Sequence, residues 1–137
     1  MDDLARAMAV SRERLSETVE QGAAFARTVA ALTGRDLPPR ALPVAVGEAV
    51  AALALEPGEV VAVYLHAFAA NLVSVATRFV PLGQTEGQGI LAALHPVIAG
   101  VADWAVAAGL GDIGTSTLGA DMAAMRHEGM AVRIFKT

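Results

Sequence analysis

Glu59-Val60-Val61-Ala62-Val63-Tyr64-Leu65-His66-Ala67-Phe68-Ala69-Ala70-Asn71-Leu72-Val73-Ser74-Val75-Ala76-Thr77-Arg78-Phe79-Val80 carries no formal charge between Glu59 and Arg78. Such a run is long enough to cross a bilayer, which takes about 20 apolar residues. Polar side chains argue against that reading. Tyr64, His66, Asn71, Ser74 and Thr77 interrupt the run, and Asn71, Ser74 and Arg78 follow i, i+3, i+7 spacing. That spacing gathers them into a polar stripe on one helix face. The segment is expected to be the buried central helix of an all-helical protein, not a membrane span.

The flanking sequence extends the helical pattern in both directions. Upstream, Ser11 can cap a helix whose apolar residues Leu15, Val19, Phe25, Val29 and Leu32 recur at helical spacing up to Gly34. Pro38-Pro39 marks a linker, in which Arg35 is expected to be idle, and Pro43 suits the first turn of a second helix. Residues 2–8 form at most a short turn. Downstream, Pro81 and Gly83 end the central helix, and Thr85-Glu86-Gly87-Gln88 reads as a capping box opening a helix that Pro96 should kink. A Gly/Ser/Thr-rich loop over residues 110–117 leads to a short helix near 118–128 and a tail from 129 to 137. The expectation is an all-α, single-domain bundle of about five helices spanning residues 1–137, with a kinked helix around Pro96 and a short C-terminal helix plus tail.

Composition fits that architecture. The 137 residues are 55% hydrophobic but only 4% aromatic, the balance of a bundle whose small side chains let helices approach closely. A chain of this length can bury roughly two-thirds of its unfolded surface. Ten basic residues against 14 acidic ones give a net charge of −4, the wrong sign for nucleic acid or an anionic membrane. The absence of cysteine excludes disulfides, thiolate metal sites and cysteine nucleophiles. The acidic start, Met1-Asp2-Asp3, lacks the basic and apolar regions of a secretory signal, so a cytoplasmic location is expected.

Apparent catalytic motifs fail on context. Gly109-Leu110-Gly111-Asp112-Ile113-Gly114 matches GxGxxG in letters, but that fingerprint needs a preceding strand, and here a helix precedes it. His127-Glu128 begins like HExxH, yet position 131 is Ala131. The three histidines, His66, His95 and His127, fall on three different segments, and no resident metal is expected. No P-loop or activated-serine motif is present, so no catalytic residue is assigned. Two polar clusters remain. Asn71, Ser74, Arg78, Gln84 and Thr85 flank the turn after the central helix; they either satisfy loop backbone groups or form a partner surface. Arg126, His127, Glu128, Arg133, Phe135 and Lys136 lie at the chain end, where an aromatic between cations suggests docking.

The stretch Tyr64-Leu65-His66-Ala67-Phe68-Ala69-Ala70-Asn71-Leu72-Val73-Ser74-Val75-Ala76-Thr77-Arg78-Phe79-Val80-Pro81-Leu82-Gly83-Gln84-Thr85-Glu86-Gly87-Gln88 resembles the central signature of the UreF family. Leu42-Pro43-Val44-Ala45-Val46-Gly47 before it and Ala120-Asp121-Met122-Ala123-Ala124-Met125-Arg126-His127-Glu128 after it resemble two further blocks of the family, in order and spacing. Two departures accompany the resemblance. Nothing corresponds to the Gly-rich N-terminal segment usual in the family, which reads as a truncated, misannotated or shortened member. Gly129, Ala131 and Val132 replace polar and aromatic tail positions, which could weaken tail docking.

The resemblance implies a urease accessory protein, a non-enzymatic adaptor that binds the UreD (UreH) scaffold, recruits the GTPase UreG, and so helps deliver nickel to apo-urease. It further implies a homodimer with no intrinsic cofactor, nickel being handled transiently by the complex. The two polar clusters named above are the expected partner contacts. The alternative is a truncated or degenerate helical dimerisation domain without maturation activity. Wide apolar helix stripes are expected to be exposed and to drive self-association. With no P-loop and no thiolate ligand, the isolated chain should neither hydrolyse GTP nor bind nickel with sub-micromolar affinity. A turnover assay and calorimetry on tag-free protein check both, and sub-micromolar nickel binding would contradict the reading.

Overall fold

The computed structural model describes residues 1–133. Among these are six α-helices and no strand: α1 (Asp2–Ala7), α2 (Arg12–Thr33), α3 (Leu42–Val50), α4 (Pro57–Phe79), α5 (Gln84–Ala107) and α6 (Leu118–His127), with a 3₁₀ turn at Leu110–Asp112. The all-α expectation holds, with one helix more than expected because residues 2–7 form a full helix. Contacts group the chain into two compact units, Met1–Ala54 with the residues from Gly114 onward, and Leu55–Ile113.

In the first unit, α2 begins and ends where the sequence indicates. Ser11 Oγ accepts the Arg14 amide at 3.2 Å, and Gly34 closes the helix in the left-handed region at φ 71°. Glycine suits that position because it carries no Cβ. Midway along α2, Gly22 permits a close approach by the segment leading into α3. A Cβ on Gly22 would stand 1.9 Å from the Arg40 carbonyl oxygen and 2.8 Å from the Leu42 nitrogen. Ala41, lying in that segment, has 0% of its surface exposed, and Ala26, Ala45 and Ala49 are also buried. The core here is a seam of small residues.

Polar anchors hold the ends of that seam. Asp2 Oδ1 accepts the Ala41 amide at 2.7 Å, and its other oxygen pairs with Arg6 at 2.7 Å. These two contacts, the backbone bond first, lower the Asp2 pKa from its ordinary value. Thr18 Oγ1 accepts the Leu42 amide at 3.3 Å. Arg35 is not idle in the linker: its guanidinium donates to the carbonyls of Ala49 at 2.8 Å and Glu48 at 3.3 Å. It therefore caps the C-terminus of α3, where carbonyls lack helical partners and a cation opposes the helix dipole.

The second unit is a helical hairpin. Pro81 biases Val80 toward the extended backbone it adopts (φ −113°, ψ 148°), and α4 stops there. The capping of α5 differs from the sequence expectation. The N-cap is Gly83, not Thr85, and its amide donates to Glu86 Oε2 at 2.8 Å, so Glu86 and not Gln88 reaches back. Either acid or amide can fill the third helical position; the helix starts two residues earlier, at Gly83, which has the extended conformation that a cap requires. The two helices run antiparallel. A Cβ on Gly58, near the start of α4, would meet Val106 Cγ2 at 3.9 Å, near the end of α5. At the other end, a Cβ on Gly87 would press on Thr77 Cγ2 at 2.7 Å and Val73 Cγ1 at 3.1 Å. α5 stays helical through Pro96, which lacks an amide to bond the Ala92 carbonyl.

The expectation of a buried central helix is corrected here. On α4 only Val73 is buried, while Phe68, Leu72 and Phe79 stand half exposed. Two packed helices can cover only one face of each other, so the wide apolar surface of α4 and α5 remains open within this unit. By length and composition alone both helices could cross a membrane, and only 6% and 11% of their apolar windows is buried.

Two glycine substitutions in the first unit should have opposite signs. Gly22→Ala forces its methyl onto the Arg40 carbonyl and should destabilise the protein by about 1–3 kcal/mol, as overpacking does. Gly47, inside α3, has nothing within 4 Å of its would-be Cβ. Gly47→Ala should therefore stabilise by roughly 0.5–1 kcal/mol through helix propensity. Urea unfolding of the two variants checks both signs.

Candidate functional site

The C-terminal cluster is built where α6 meets the start of α2. The first amides of any helix lack intrahelical acceptors and carry the positive end of the dipole. At α2 those amides are claimed in sequence order. Glu128 Oε1 accepts from the Arg12 amide and, at 3.2 Å, from the Glu13 amide, while Ser11 takes Arg14. Glu128 is thus a cap supplied from across the chain, at the C-terminal end of α6.

Beside it, Glu13 joins two of the expected site residues. His127 Nδ1 lies 2.6 Å from Glu13 Oε2, and Arg133 pairs with Glu13 Oε1. An ionised carboxylate only accepts, so Nδ1 carries the proton of that bond. The hydrogen bond from His127, and after it that from Arg133, hold the Glu13 carboxyl below its ordinary value of 4.5 against the opposing effect of burial. His127, Glu128 and Arg133 therefore converge as the sequence suggested, yet they face inward on α2. Arg126 is exposed, and its side chain makes no hydrogen bond or ion pair among the described residues. Phe135 and Lys136 lie outside the described residues.

The second cluster sits on the hairpin. Asn71 and Arg78 are exposed on α4, Ser74 is half-buried between them, and Gln84 and Thr85 are exposed in the first turn of α5. Among the described residues the side chains of Asn71, Arg78, Gln84 and Thr85 make no hydrogen bond, so they satisfy no loop backbone group. The same hairpin holds an open apolar groove of about 430 Å³, lined by Phe68, Leu72, Val73, Leu82, Ile90 and Leu94 among others.

Sequence reasoning missed Glu13 and the meeting of two histidines. An acid in the first turn of a helix reads as a dipole complement, and nothing local announces a partner at the far end of the chain. His66 on α4 and His95 on α5 come together with ring centres 5.4 Å apart. The GxGxxG-like stretch is a turn closed on itself, the Gly109 amide donating to Asp112 Oδ2 at 2.8 Å. A carboxylate already holds the amide that a phosphate would need. No group of three or more His, Cys, Asp or Glu residues that could hold a metal occurs among the described residues.

An all-helical chain with unpaired polar residues and an open apolar groove has the features of a protein that works by association. Comparison with known proteins gives the family. The UreF family model matches residues 1–95. A urease accessory protein UreF of Cereibacter sphaeroides is 68% identical over 98% of this chain, and that of Paracoccus denitrificans is 55% identical over 100% of it. A third, from Roseobacter denitrificans, is 51% identical over 100%. The chain belongs to the UreF family. It spans 64% of the length of the first two relatives and 62% of the third. These relatives are named as accessory proteins and not as enzymes.

The Glu13 contacts give the site a pH signature. Because its pKa is lowered on folding, the stability it contributes is complete above 4.5 and is lost as pH falls through the lowered value. Glu13→Gln should lower the melting temperature at pH 7 and shrink the loss between pH 7 and pH 3. Thermal melts of both proteins across that range check it, and parallel curves would show that the Glu13 contacts do not form in solution.

Proposed function

We propose that this chain is a non-enzymatic adaptor in urease maturation, linking the UreD (UreH) scaffold to the GTPase UreG so that nickel reaches apo-urease in a GTP-dependent step. In this reading it works in the cytoplasm as a homodimer, and nickel is cargo of the complex. The observation that carries the proposal is the 68% identity to a protein named urease accessory protein UreF, running over 98% of the chain.

The surface supports it. Exposed contiguous apolar patches mark interaction sites in soluble proteins. The groove beside Phe68 and Leu72, and the free side chains of Asn71, Arg78, Gln84 and Thr85, give one hairpin both an apolar anchor and polar specificity. The polar stripe of α4 favours protein over lipid as the covering phase, since side chains such as Asn71 and Arg78 are costly in hydrocarbon. In the other unit, Glu13 pairs with Arg133, the last of the described residues. In this reading Arg126, His127, Glu128 and Arg133 belong to the partner contact together with the tail, in which Phe135 is the anchor and Lys136 a flanking cation.

Restoration of urease activity in cells lacking their own family member, together with capture of UreD and UreG from the same source, tests the proposal. Phe135→Ala should weaken UreD capture at least tenfold, since losing a buried aromatic anchor costs about 2 kcal/mol or more. Unchanged capture by Phe135→Ala would move the contact to the Asn71, Arg78 and Gln84 surface. Failure of the wild-type chain in both assays would favour a helical dimerisation domain without maturation activity.

A further inference from the structure

An amphipathic helix ordinarily turns its apolar stripe inward. On α6 the half-buried positions are Asp121, Ala124 and His127, followed by Glu128, and all but Ala124 are polar. The apolar stripe is the side left open: Leu118, Met122 and Met125 are 70%, 42% and 53% exposed. No residue of α6 is buried. Apolar burial therefore contributes little to seating this helix, because that contribution scales with the area removed from water. The contacts that seat it gather at its C-terminal end. Glu128 accepts the Arg12 and Glu13 amides, His127 donates to Glu13, and Arg133, just beyond the helix, pairs with the same carboxylate. At the other end, Thr117 Oγ1 donates to Asp121 within its own turn, and the approach, Gly114-Thr115-Ser116-Thr117, is exposed throughout.

We infer that α6 is an electrostatic strap: hinged at residues 114–117, it lifts from the first turn of α2 as a unit, and while seated it withholds His127, Glu128 and Arg133 from any partner. Solvent reaches the clasp, the His127 side chain being 23% exposed and that of Arg133 45%, so salt screens its ion pairs. Release leaves α2 in place. Ser11 still caps it at the Arg14 amide, and its packing against the segment entering α3, at Gly22 and Ala26, involves no part of α6. Such an opening is local and needs less free energy than unfolding the whole unit. The strap is a property of the isolated chain; only its competition with a partner rests on the contact proposed above. Glu13 then acts against docking, because it occupies the same cations that a partner would use.

The chain has no cysteine, so spin labels can be placed at Ala24→Cys on α2 and Ala123→Cys on α6, both exposed, and their separation read by pulsed electron paramagnetic resonance. One short distance is expected in low salt. A second, longer population should grow roughly threefold or more in molar sodium chloride, and likewise at low salt in Glu13→Gln and in Glu128→Ala, as exposed ion pairs and charged caps are lost. Circular dichroism should show α2 still helical. An unchanged distance distribution in salt and in both variants would overturn the strap, since a helix seated by apolar contact is not loosened by salt. Melting of α2 together with the release would overturn it equally. In the capture assay described above, Glu13→Gln should bind UreD severalfold more tightly than wild type, and equal or weaker capture would overturn the competition. Absence of capture by the wild-type chain would defeat the partner reading and the competition with it, while the distances still decide the strap.

Discussion

The amides at the start of α2 form the constraint around which the first unit is arranged. A helix start needs acceptors, and here a local serine takes one amide while Glu128 Oε1, from the far end of the chain, takes two. Removing Glu128 would leave one exposed and one part-buried donor without this acceptor at the positive end of a 22-residue helix. The next residue along, Glu13, binds His127 and Arg133, so one helical turn determines where α6 ends and where the tail begins. A few turns later the same helix provides Gly22, against which the segment entering α3 lies at backbone contact. α2 therefore ties together pieces of chain that share no local signal.

Much of the fold was legible because helix ends are written in local chemistry. Ser11 as a cap, Gly34 as a stop, Pro43 in a first turn and Pro81 after a last one each act through their own backbone geometry, so their positions could be read without knowing any contact. The cap of α5 shows the limit of such reading. Thr85-Glu86-Gly87-Gln88 has the letters of a capping box, but the chain starts the helix two residues earlier, where Glu86 reaches back to the Gly83 amide. Degenerate local codes are decided by the turn that precedes them.

Burial was less legible. The apolar spacing of α4 says which of its faces favour burial, but spacing carries no information about what will cover them. Within its own unit the helix meets only α5, and a single neighbour leaves Phe68 and Leu72 half exposed. A run without charge thus looks the same in the sequence whether it is enclosed by its own chain or destined for another surface. The polar stripe did read correctly as a stripe, and its free side chains distinguish it from a set of buried amides serving a loop.

The same reasoning separates the two sites. The cluster at residues 126–133 stood out by composition, yet its direction depended on Glu13, an acid whose role could equally have been to complement the dipole of its own helix. His66 and His95 were each unremarkable in their segments; they acquire meaning only from the register of the α4 and α5 pair, which Gly87 sets by admitting Val73 and Thr77 so closely. A Cβ at position 87 would press on both side chains and push that end of the hairpin apart. The two rings lie farther along the same helix pair, with their centres 5.4 Å apart. Register, more than residue identity, decides which side chains of this hairpin meet.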